Sequence, residues 1–177
     1  MELVRCIDLV REGLKYLPAN MSNKLPEVMV AMLSIGLQES RFVHRYQVLN
    51  TPGVKGPARG FWQFESGGGV KGVMTHAASK EHLQKVCRQL GVPFERQAIW
   101  LSLEHNDNLA VVCARLLLYT DPKPLPLVQD IDGMWDYYLR NWRPGAWDRG
   151  TLKERNILKA KWNANHLLAQ QEVARWQ

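Results

Sequence analysis

A chain of 177 residues, 46% hydrophobic and 23% charged, can bury one sizeable core, which excludes a disordered protein and leaves little room for two independent domains. The apolar run 28–37 is half the roughly 20 residues of a membrane-spanning helix, and Glu2, Arg5, Asp8, Arg11 and Glu12 break up any secretory h-region, so neither an anchor nor Sec export is expected. The net charge of +6 is uneven, −1 over 1–40, +6 over 41–96 and +1 over 97–177, and suits a polyanion, either nucleic acid or the teichoic and peptide carboxylates of a cell wall.

In chain order, Leu3, Ile7, Val10, Leu14 and Leu17 form the apolar stripe of a first helix that ends near Pro18. A second helix starts near Pro26 and runs through Gln38 with apolar residues on nearly every side, which predicts a central, buried position. The stretch 50–73 is dense in glycine and reads as a loop or small β-hairpin. Helical spacing resumes over 79–90, 94–103, 108–119 and 128–142, with Asp107 as the expected N-cap of the third. Pro122, Pro124 and Pro126 stiffen the connection before the last of these. Thr151 with Glu154 makes a capping box that opens a long final helix over 151–176. The expected architecture is one domain over 1–177, α+β and predominantly α-helical, with one small irregular β-hairpin lobe.

Most constellations carry little chemistry. Cys6, Cys87 and Cys113 are an odd number among apolar neighbours and read as buried free thiols. His44, His76, His82, His105 and His166 show neither HExxH spacing nor a CxxC companion, so no metal and no cofactor is expected. The run 67–72, GGGVKG, lacks the Ser or Thr that a phosphate loop needs after Lys71, and reads as a mobile hairpin tip.

Glu39 is different, because a carboxylate closes the stretch AMLSIGLQ that otherwise reads as protein interior. Desolvation and the negative end of a helix dipole both disfavour the anion, so its pKa should be raised, as a general acid requires. The structural alternative is a buried Glu neutralised by Arg41 or Arg45. Downstream, GPARGFWQF offers flexible backbone at Gly56 and Gly60 and, at Trp62, Gln63 and Phe64, rings and an amide suited to sugars. Trp62 is the tryptophan expected at a sugar cleft, ahead of Trp142. Between Arg41 and Phe64 there is no Asp or Glu, and Glu65 is the first. Two-carboxylate glycosidases need a partner about 5 to 9.5 Å away, so a lone acid suits an intramolecular route, while Glu65 leaves hydrolysis open as a rival.

QESRF combined with GPARGFWQF resembles the catalytic region of the lysozyme-like soluble lytic transglycosylases, most closely their bacteriophage versions, over about residues 26 to 147. The resemblance implies a lysozyme-like fold and cleavage of the MurNAc–GlcNAc β-1,4 bond of peptidoglycan to a 1,6-anhydromuramyl end. It maps the catalytic acid/base onto Glu39, its neighbouring serine onto Ser40, and the cleft glycine and glutamine onto Gly60 and Gln63. Asn108 is similar to the asparagine that opens the family's next core helix. Tyr138 matches a substrate-facing tyrosine only loosely, since in YYLRNWRPGAW it is not adjacent to Asn141. The implied partner is bacterial peptidoglycan, with other virion proteins as a further possibility, for a monomer made in the host cytoplasm and acting in the periplasm or wall. The alternatives are a hydrolytic muramidase of the same fold, and a noncatalytic virion or nucleic-acid-binding protein using the basic middle segment.

Overall fold

In the computed structural model, which describes residues 2–22 and 25–176, two helices open the chain: α1 (Leu3–Leu14) and, after a 3-10 turn at Ala19–Ser22, α2 (Leu25–Glu39). α1 stops three residues short of Leu17 because the Tyr16 and Leu17 amides turn back to the Gly13 and Leu14 carbonyls before Pro18. α2 is the central element, with every residue from Val28 to Gln38 buried. A helix apolar on all sides gains most when walled on all sides.

The irregular lobe is a three-stranded antiparallel sheet of β1 (Tyr46–Val48), β2 (Lys55–Arg59) and β3 (Phe64–Glu65), in the order β1-β2-β3. Tyr46 pairs with Arg59 and Val48 with Lys55 across an irregular register, and Arg59 pairs with Phe64. The lobe therefore begins before the glycine-dense stretch. The glycine run is not a hairpin tip: residues Ser66–Val70 form a π-helical turn leading into α3 (Lys71–Thr75). A Cβ on Gly69 would lie 2.7 Å from the Phe64 ring, so this glycine lets the backbone wrap closely over Phe64.

The remaining helices are α4 (Lys80–Gln89), α5 (Arg96–Ser102), α6 (Asp107–Tyr119), α7 (Ile131–Trp142), the single turn α8 (Gly145–Asp148) and α9 (Leu152–Trp176). α8 lies where the sequence showed only breakers. The N-cap of α6 is Asn106, whose side chain accepts from Leu109 N at 3.0 Å; Asp107 instead takes a bidentate ion pair with Arg45 at 2.8 and 2.7 Å. The capping box of α9 forms as expected, with Glu154 accepting from Thr151 N at 2.7 Å.

Together these elements make an α+β protein, predominantly helical with one small sheet. α1 packs on α6, where a Cβ at Gly13 would lie 2.4 Å from Val111, and α9 packs along α2. The buried His166 of α9 places Nδ1 3.1 Å from Ser34 Oγ on α2 and Nε2 2.9 Å from Val128 O. All three cysteines are free and buried. Among the described residues no helix is long and apolar enough to cross a membrane.

Candidate active site

α2 ends at Glu39 because the backbone turns sharply there. Ser40 N still donates to Gly36 O at 3.0 Å, but Arg41 and Phe42 both take φ of +54°. A left-handed phenylalanine is strained unless its surroundings hold it. Phe42 is held by its ring, which folds back over Gly36 so closely that a Cβ there would lie 2.1 Å from it. Ser40 serves the same turn: its hydroxyl donates to Gly36 O at 3.3 Å and accepts from Phe42 N at 3.1 Å. These bonds help close the helix, and Ser40 is not among the residues that line the cleft described below.

The turn leaves the Glu39 carboxyl partly buried at the wall of a cleft. Burial pushes it up to about 7 from an ordinary 4.5, against smaller opposing effects of Tyr138 and Lys161. Tyr138 on α7 donates its hydroxyl to Glu39 Oε1 at 2.6 Å. The ring of Tyr138 is stacked 5.0 Å from Trp162 and 6.3 Å from Trp142, which fixes where that hydroxyl points. Burial and the neighbouring carboxylate hold the phenol far above its ordinary range, so it keeps the proton that it donates to Glu39.

Three bonds from α9 clamp the residue beside Glu39. Lys161 Nζ donates to Gln38 O at 2.5 Å, Asn165 Nδ2 donates to Gln38 Oε1 at 2.9 Å, and Gln38 Nε2 donates to Leu158 O at 3.3 Å. The lysine covers a last-turn carbonyl of α2, where a cation opposes the helix dipole. No arginine forms an ion pair with Glu39 among the described residues, and Arg45 is engaged by Asp107. The structural alternative of a Glu neutralised by Arg41 or Arg45 therefore does not describe this site.

The cleft encloses about 1280 Å³, above the roughly 300–1,000 Å³ of sites for compact ligands. One wall comes from the sheet lobe, with Gln47, Gln63, Phe64 and Glu65, and continues through the glycine turn into α3. The other comes from the end of α7, the α8 turn and the start of α9, with Asn141, Trp142, Arg143, Ile157 and Leu158. Gln63 takes φ of +52°, and its amide donates to Gly60 O at 2.9 Å. Gly60 takes φ of +74° with Leu103 O only 3.1 Å from where a Cβ would stand, so this tight turn requires glycine.

Of the residues expected from sequence, Glu39, Gln63, Phe64 and Glu65 meet at the cleft, and Tyr138 reaches it through Glu39. Gly60 shapes the turn without lining the cleft. Trp62 does not face it: the side chain is wholly buried, donates its indole N–H to Met32 O at 2.9 Å and packs edge-on against Phe42 at 5.6 Å. Trp142 is the indole at the cleft instead, donating to Trp62 O at 2.9 Å. Asn108 is the second residue of α6, half-buried, and does not line the cleft.

Sequence reasoning missed Gln47, the Lys161–Gln38 clamp and the cleft residues of α9. The signal for the clamp was a polar glutamine inside an otherwise apolar run, which needed partners from somewhere. Comparison with family models, with characterised proteins and with solved structures returns no match for this chain.

Proposed function

We propose that this protein is a peptidoglycan lytic transglycosylase of lysozyme-like fold, cleaving the MurNAc–GlcNAc β-1,4 bond with Glu39 as general acid and then general base. The observation that carries the reading is a carboxyl whose proton affinity is raised to about 7, at the wall of a cleft large enough for several sugar rings. A group poised near neutral pH can both deliver a proton to a leaving oxygen and recover one afterwards.

In this mechanism Glu39 protonates the glycosidic oxygen, and the C1–O bond breaks as positive charge develops on the ring. The substrate's acetamido oxygen stabilises that centre. The Glu39 anion, held by Tyr138, then removes the proton of the muramyl 6-hydroxyl, whose oxygen closes on C1. The amides of Gln47 and Gln63 suit acetamido and hydroxyl groups, and the face of Trp142 suits the apolar side of a pyranose. The resemblance of QESRF and GPARGFWQF to phage enzymes of this type supports the same conclusion.

Glu65 favours one second reading, because it is exposed at the cleft and could hold a water for hydrolysis. Mass spectrometry of the fragments released from purified sacculi separates the two. Anhydromuramyl ends, lighter by one water than reducing ends, are expected; reducing ends alone would make the protein a muramidase.

A further inference from the structure

We propose that the two walls of the cleft carry a carboxylate-binding site for the peptide stems of the glycan strand, formed by Lys71 on one side and Arg143 and Arg149 on the other. The proposal rests on the peptidoglycan reading of the cleft and deepens it.

Four cations line the cleft, Lys71, Arg140, Arg143 and Arg149, against three carboxyls, Glu39, Glu65 and Glu154. Among the described residues only Arg140 of the four has a carboxylate within ion-pair distance, Asp121 at 3.1 Å. Glu154 is occupied by the Thr151 amide and hydroxyl, at 2.7 and 2.8 Å. Glu39 is the acid of the mechanism. Glu65 and Glu154 remain as fixed anions, so Lys71, Arg143 and Arg149, which have no carboxylate partner among the described residues, leave the cleft with one positive charge in excess.

The backbone around the two arginines is specialised. Arg143 ends α7 in the left-handed region, with φ of +48°, a conformation that glycine adopts more readily. At Gly145 a Cβ would stand 2.4 Å from Arg149 Nη2, so the glycine makes room for that guanidinium over the α8 turn. Both features bear on where the two guanidinium groups stand at this elbow.

The amino-sugar chain is uncharged once the muramyl lactyl group is amide-linked, so it gives these cations no partner. The stems carry carboxylates, which guanidinium groups bind in a planar fork. Cations on both walls would engage stems projecting from either side of a strand lying over Glu39.

The test compares kcat/KM on two substrates at low salt: strands bearing uncrosslinked stems, and the same strands freed of peptide by an amidase, with the lactyl carboxylates so exposed capped as neutral methylamides. Wild type is expected to prefer the stem-bearing strands by on the order of fivefold, as a few exposed ion pairs allow, with the preference vanishing in high salt. In Arg143→Gln/Arg149→Gln, and separately in Lys71→Gln, that ratio should fall toward one with the change in KM. A wild-type ratio of one, or a ratio equal in wild type and both variants, overturns the proposal. So does a loss of binding to a DNA duplex, measured in parallel, with that ratio unchanged, which would assign the cations to phosphates. A wild type that cleaves neither substrate overturns the glycosidase reading itself, an outcome distinct from cleavage without preference.

Discussion

The Tyr138 hydroxyl lies 2.6 Å from Glu39 Oε1, joining the middle of α7 to the last residue of α2 across 99 positions of sequence. The contact opposes the burial that raises the carboxyl's proton affinity, because a donated hydrogen bond favours the anion. In the proposed mechanism burial makes Glu39 a proton donor near neutral pH, and Tyr138 keeps the resulting anion in place to act as base.

Removing that bond should therefore be felt in both steps. Tyr138→Phe is expected to lower kcat about ten- to a hundredfold, the equivalent of a lost hydrogen bond to a charged group of about 1.5–3 kcal/mol. It should also raise the pH at which activity declines on the alkaline side, since Glu39 would hold its proton more tightly. An unchanged kcat and an unmoved pH profile, measured on soluble glycan fragments, would separate Tyr138 from the chemistry.

Lys161 acts on the same carboxyl from α9. Its charge favours the Glu39 anion while its ammonium covers Gln38 O. Lys161→Met is expected to move the alkaline limb of the pH–rate profile upward, and Lys161→Arg to restore it toward wild type. Carbon-13 NMR titration of the Glu39 carboxyl reads the same shift without reference to activity. An identical titration in Met and wild-type proteins would show that the lysine is only a helix cap.

A carboxyl buried for function should cost stability once it ionises. Glu39 has a proton affinity of about 7 in the fold against an ordinary 4.5, so the stability it contributes is full below 4.5 and is lost as pH rises through about 7. Glutamine has no such loss. The melting temperature of Glu39→Gln relative to wild type should therefore climb by a few degrees between about pH 4.5 and 7.5 and level off beyond. A difference independent of pH would mean that the carboxyl titrates normally.

Glu39 was legible in sequence because a charge at the end of an apolar helix has few innocent explanations. The main helices were legible from their apolar periodicity, and α9 from its capping box. Trp62 was misread because sequence does not say which way a ring in a turn faces: Met32 O, thirty residues away, took its indole N–H and drew it inward. The indole that lines the cleft is that of Trp142, which donates to the Trp62 carbonyl. Asp107 gave up the capping position because Arg45, far upstream, claimed it, leaving Asn106 to cap. The glycine run was read as a hairpin tip, whereas it forms a helical turn in which Gly69 lies against the Phe64 ring. In each case a long-range partner decided between locally equivalent options.

The central claim is most directly tested by the rate at which purified sacculi lose turbidity with wild-type protein and with Glu39→Gln, whose amide can still accept from Tyr138 but carries no acid. The account predicts clearing by wild type and a fall of about a thousandfold in the variant, the scale of a lost general acid/base. Clearing by Glu39→Gln at the wild-type rate, or intact sacculi after incubation with wild type, would contradict it.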